Sequence, residues 1–151
     1  MLLWLPLILI LAILLYFSFL NFTGGPPENL GVHKGKLKDV PASPNCVSSF
    51  ANTQDSVHYI EPLEVKSPED LSKIKEIVLS SPLNKLITEK ENYLYFESRT
   101  MFFRFTDDLE IYIDTESKLI HFRSASRVGH SDFGCNRKRV EAIKKDLLSH
   151  Q

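Results

Sequence analysis

The chain has 151 residues, a formal net charge of -1, and charged side chains at 25% of its positions. That is a one-domain length, and the near-neutral balance excludes a general nucleic-acid binder, which carries a basic excess. The charge is uneven: from Ile120 onward seven Lys and Arg stand against three acids, a basic region on a neutral protein.

Leu2 to Leu20 contains no charged side chain. Its length and apolarity predict a helix able to cross a hydrocarbon core of about 30 Å, with Trp4 and Tyr16 near the two interfaces. A cleaved signal is the competing reading. Against it, no Lys or Arg precedes the apolar run and no small-x-small site follows. Residues 1–22 are therefore expected to anchor a single-pass membrane protein, with the lipid bilayer as partner through residues 2–20. Residues 23–43 carry paired Gly, paired Pro and three Lys, the composition of a linker. The folded domain is expected over 44–151.

Val57–Val65 alternates well enough for a first strand, interrupted by Pro62. Ser67-Pro68-Glu69-Asp70 predicts a helix start, with Leu71, Ile74, Ile77 and Val78 on its inner face and Ser81-Pro82 ending it. Leu86–Thr88 and Tyr93–Glu97 read as short strands, and Met101–Phe105 as a possible extension of the sheet. Leu109–Asp114 and Lys118–Ser124 form the clearest hairpin. A two-residue loop at Glu116-Ser117 sets Ile113 opposite Ile120, Ile111 opposite Phe122, Tyr112 opposite His121 and Glu110 opposite Arg123. Asn136–Leu148 reads as a closing helix with Val140, Ile143, Leu147 and Leu148 inward and Lys138, Glu141, Lys144 and Lys145 outward. The expected fold is α+β: an antiparallel sheet of four to five strands, two helices on one face, and one N-terminal transmembrane helix.

One region carries most of the chemistry. Asp107, Asp108 and Glu110 on one hairpin arm are expected to meet Arg123 and Arg127 on the other, together with Arg137 and Arg139 of the last helix. Ser124, Ser126, Ser131, Asp132 and Asn136 lie among them. The acids could chelate a hard cation, but ion pairing with the arginines is the plainer expectation, and no metal is assigned. The Ser124–Gly134 stretch, leading to a helix N-terminus beside arginines, suits an anionic ligand. The alternative is that Ser131 or Asp132 caps the helix while the arginines bridge to carboxylates. Cys46 and Cys135 are the only cysteines; they either form one disulfide or stay as two unpaired thiols. A hydrolase using Cys46 or His130 with Asp107 and Asp108 is the rival to a non-catalytic reading. No local catalytic signature supports it.

PNCVSS (44–49), HYIEPL (58–63), F-x-D-D-x-E (105–110) and RSASRVGHSDFGCNRKRVE (123–141) together resemble the bacterial and plastid family called domain of unknown function 1499. The resemblance runs from about Pro41 to the C-terminus. It implies an N-terminal membrane segment or export signal and no defined reaction; neither flank of the apolar run decides the side of the membrane, and the domain is expected on the extracytoplasmic side. Cys135 stands where many relatives are expected to carry a small aliphatic residue such as Val, which argues against a disulfide general to the family. The expected function is that of a non-catalytic binding or structural module without a cofactor, whose polar cluster holds the fold or meets an anionic ligand, a lipid headgroup or a protein partner.

Overall fold

The computed structural model of the protein describes residues 4–101 and 103–149, except the side chains of Leu14, Ser18 and 20–23. Leu2 and Leu3 of the expected anchor, and Phe102, lie outside them. The elements run α1 (Leu5–Thr23), β1 (Cys46–Ser48), β2 (Leu63–Glu64), α2 (Asp70–Leu79), β3 (Asn84–Lys90), β4 (Tyr93–Arg99), β5 (Thr106–Asp114), β6 (Leu119–Ser126) and α3 (Cys135–Ser149).

The architecture is α+β, with one antiparallel sheet of six strands in the order β1-β6-β5-β4-β3. The extra strand arises because β6 gives one edge to two short partners. Cys46–Ser48 pairs with residues 123–125 and Leu63–Glu64 with 119–120. The strand expected over Val57–Val65 thus shrinks to β2, preceded by a single parallel bridge between Ser48 and Tyr59. Met101–Phe105 does not extend the sheet. It is the tight connection between β4 and β5, closed by the Thr100 amide donating to the Phe105 carbonyl and by Arg104 at φ 58°.

The β5–β6 hairpin has the register that matched side chains predict: Ile113 with Ile120, Ile111 with Phe122, Tyr112 with His121, and Glu110 with Arg123. Its loop is longer than two residues, spanning 115–118, because the Asp114 carboxylate accepts from the Glu116 amide and from both the amide and hydroxyl of Ser117. Such a side chain-to-backbone turn suits Asp better than a two-residue turn suits Glu-Ser.

Leu94 and Phe96 of β4, Leu109 and Ile111 of β5, Ile120 and Phe122 of β6 and Val47 of β1 bury one face of the sheet. They lie against Ile74 and Val78 of α2 and Val140, Ile143 and Leu147 of α3. α2 begins where Asp70 reaches back to accept from the amides of Lys66 and Ser67 while the Ser67 hydroxyl accepts from the Glu69 amide, so acid and hydroxyl together secure the entry. In α3, Leu148 is exposed and Lys144 is buried, the reverse of the expected facing. Lys144 lies along the helix beside Glu141, 3.5 Å away, its stem covering apolar surface.

The other sheet face is also covered. Residues 24–41, whose composition reads as a linker, lie across it as a strap. Leu37 is 3% exposed and packs with Tyr93, Tyr95 and Tyr112, flanked by Leu30, Val32 and Phe50. The Gly31 amide donates to Glu110 at 2.7 Å. Three layers therefore replace the expected two: helices, sheet, strap.

Among the described residues no helix is long and apolar enough to cross a membrane, so the expected spanning helix is not found. The Phe17 ring of α1 packs on Phe103 and Phe105, with centroids 4.6 and 5.5 Å apart. Elsewhere on α1 the apolar side chains, including Leu5, Leu7 to Leu11, Ile13, Leu15, Tyr16 and Phe19, are exposed.

Candidate functional site: a two-sided polar lattice on β5

Alternation along β5 sends Asp107 to the helix face and Asp108 and Glu110 to the strap face. The acids that stand together in the sequence therefore belong to two separate clusters.

On the helix face, Arg139 of α3 donates to the Asp107 carboxylate at 2.6 Å and to the Ser124 hydroxyl and the Asn136 side-chain carbonyl. Asn136 is fully buried. Its amide group donates to the Asn45 carbonyl and to the Ser126 hydroxyl, while its oxygen accepts from Ser124. One side chain thus ties α3 to β6 and to the residue before β1. Asp132 caps α3, accepting from the amides of Gly134 and Asn136, and Ser131 accepts from the Phe133 amide.

On the strap face, Glu110 is wholly buried. It accepts from Arg123 at 3.2 Å, from the Tyr93 hydroxyl at 2.9 Å and from Gly31 of the strap. Asp108 accepts from Arg127 through Nε and a terminal nitrogen, and from the Tyr95 hydroxyl. Arg127 reaches further, to Glu97 and to the Gly24 carbonyl. Burial, together with the adjacent carboxylates, pushes the Tyr93 and Tyr95 hydroxyls above their ordinary range, so both are donors. Arg127 is raised: burial opposes its charge, but Asp108 and Glu97 outweigh that.

A cavity of about 350 Å³ lies between the strap and this cluster, lined by Lys38, Asp39, Asp108, Arg123 and Arg127 among others. The buried Nε of Arg123 has no hydrogen-bond partner among the described residues.

Of the residues expected in one cluster, Arg137 stands apart. It donates to the carbonyls of Ser56, Val57 and Tyr59 and so fastens the 49–62 loop instead of meeting an acid. Tyr93, Tyr95, Glu97 and Gly31 were missed. The first three follow the every-second-residue pattern of β4, and they become visible only once β4 is set beside β5, where Tyr95 faces Glu110 and Glu97 faces Asp108.

Cys46 and Cys135 are free thiols. Cys46 lies on the strap face near Arg123 and Glu110, whereas Cys135 opens α3 on the helix face, so the sheet stands between them. Burial pushes the Cys46 thiol up to about 11, with Arg123 opposing. Its Sγ meets only the Val47 carbonyl at 3.7 Å. A protonated, buried thiol without a base beside it is a poor nucleophile. His130 is exposed on its loop. Among the described residues no group of three His, Cys, Asp or Glu is placed to hold a metal ion.

The fold and site define a class: a small α+β domain whose central strand carries buried carboxylate–guanidinium pairs on both faces of the sheet. The chain belongs to the family described as protein of unknown function DUF1499, whose model matches residues 36–147. The match contains β1 through most of α3 and every ion pair of the two clusters. No curated protein and no solved structure matches the chain.

Proposed function

We propose that this is a non-catalytic module held at a membrane surface, with the lattice serving as the framework that closes its three layers. One observation carries this reading: each buried acid of β5 has its own guanidinium, Asp107 with Arg139, Asp108 with Arg127 and Glu110 with Arg123. Buried charges so engaged are already neutralised, and they hold strap, sheet and α3 in one register. The exposed apolar side chains of α1 supply the attachment. The test is stability. Arg123→Ala and Asp108→Asn should each lower Tm markedly; unchanged Tm in both would overturn the framework reading.

A second reading rests on the Nε of Arg123 and the cavity beneath the strap, which suit a small anion such as phosphate. Asp39 and Asp108 line the same cavity and repel an anion, which ranks this reading second. If it holds, inorganic phosphate raises the Tm of the native chain but not that of Arg123→Lys, because lysine lacks the fork that reaches both Glu110 and a ligand.

A further inference from the structure

The end of the domain where α1 meets the sheet carries apolar surface that the fold does not cover. A cleft of about 450 Å³ is lined by Phe17, Met101, Phe103, Phe105, Val128 and Phe133, among others. Met101 is 71% exposed and Phe133 91% exposed. Phe133 also sits at φ 53° and Arg104 at φ 58°, a left-handed conformation that bulky side chains rarely adopt. At Phe133 that conformation belongs to the turn in which Ser131 and Asp132 cap α3, and the turn holds the phenyl ring out in water.

Two features identify that surface. The rim is continuous with α1, since Phe17 of the helix touches Phe103 and Phe105 of the β4–β5 connection. Whatever takes up the exposed apolar turns of α1 therefore meets the two loops, 100–105 and 128–134, at its boundary. Arg99 and Arg104 lie exposed at the same connection, the charge that phosphodiester headgroups attract.

The geometry points to the rim of this cleft as a lipid-docking surface, with Met101, Phe103 and Phe133 entering the headgroup–acyl boundary of a bilayer and Arg104 lying at the phosphates. It rests on the membrane reading above and adds the orientation: the 100–105 end of the sheet faces lipid, and the opposite end, at the 115–118 loop, faces water. β5 alone separates the two ends by about 30 Å at 3.4 Å per residue.

The experiment uses the full chain with vesicles of phosphatidylcholine and phosphatidylglycerol whose acyl chains are brominated near the glycerol end. Trp4, the only tryptophan, reports on α1. In a Trp4→Phe background, Phe133→Trp reports on the rim and Thr115→Trp on the far end. Both positions are exposed, so neither substitution disturbs packing, and Met101→Trp gives a second rim probe. The expected result is loss and blue shift of emission from the native Trp4 and from both rim probes, with none from Thr115→Trp. Quenching of Trp4 with the rim probes silent would overturn the docking surface while leaving attachment through α1 intact. A chain that does not float with the vesicles at all would overturn both. Quenching at Thr115→Trp equal to that at the rim would overturn the orientation. Pairing of two copies through the same aromatics would appear as emission changes that depend on protein concentration without vesicles, and would likewise overturn it.

Discussion

The two faces of the β5–β6 hairpin solve the same problem with different means. On the helix face, one pair, Asp107 with Arg139, is braced by Asn136, Ser124 and Ser126 and backed by the continuous apolar contact of α2 and α3. On the strap face, three carboxylates share two arginines and two tyrosine hydroxyls, under a cover without regular secondary structure. A charge buried beneath a helix has a rigid roof. A charge buried beneath a strap depends on each contact that keeps the strap down, and segments of this kind open first.

That contrast can be broken by mutation, and the largest effect is expected at Glu110. Glu110→Gln deprives Arg123 of the one carboxylate it meets among the described residues and weakens the hold on Gly31, so chemical denaturation should show a loss of about 3–5 kcal/mol. Leu37→Ala removes the most deeply buried apolar anchor of the strap, seated among three tyrosines. A loss of about 2–5 kcal/mol is expected, with faster hydrogen exchange at Gly31 but not at the amides of α3. Protection unchanged at Gly31 would show that the strap is not what seals this face. Asp108→Asn should cost less, about 1–3 kcal/mol, because Arg127 keeps Glu97 and the Gly24 carbonyl. A smaller effect tests the separation of the faces. Among the described residues the clusters of Glu110 and Asp107 share no hydrogen-bonding partner, so the double variant Glu110→Gln/Asp107→Asn should be additive within about 0.5 kcal/mol. Larger coupling would mean that the sheet transmits strain between them.

The smallest expected effect is with pH, and here two histidines oppose each other. Burial lowers the affinity of His121 for a proton, with Asp114 partly opposing, and its ring stacks on Phe50 at 4.1 Å. A depressed folded value means that the unfolded chain binds the extra proton, so this stability is present above the ordinary value near 6.5 and is lost as pH falls below it. For His58, burial also pulls down, but the Asp55 carboxylate and the Ser43 carbonyl outweigh it and the group is raised. Its contribution is full below about 6.5 and disappears as pH rises through the folded value. Thermal melts between about pH 5.5 and 7.5 should therefore diverge around the ordinary value: His58→Gln leaves stability rising with pH, and His121→Phe leaves it falling. Parallel profiles for the two variants would contradict both assignments.

Much of the sheet was legible because side-chain matching is local. Ile113 with Ile120 and Glu110 with Arg123 fix the hairpin register before any tertiary contact is considered. α2 and α3 were legible from their apolar spacing. The strand at Cys46–Ser48 was not, because three residues carry no period and form a strand only by borrowing the edge of β6. Leu148 and Lys144 exchanged places because Lys144 falls on the stripe of Val140, Ile143 and Leu147 and Leu148 at its edge, so position on the helix outweighed residue type. The site was legible in its residue types but not in its geometry: the acids and arginines were identifiable, yet their division between two faces follows from alternation along a strand whose surroundings were unknown.

The central hairpin, its register and the identity of the charges it carries follow from the order of residues alone, since those depend on residues that face one another across a few ångströms of paired backbone. Burial of the polar face of β5 comes instead from the packing of a distant segment. An alternating strand ordinarily leaves its polar side in water. Here residues 24–41, too rich in Gly and Pro to signal any element, fold back over Tyr93, Tyr95 and Tyr112, and they turn what composition presents as a solvated face into a second interior.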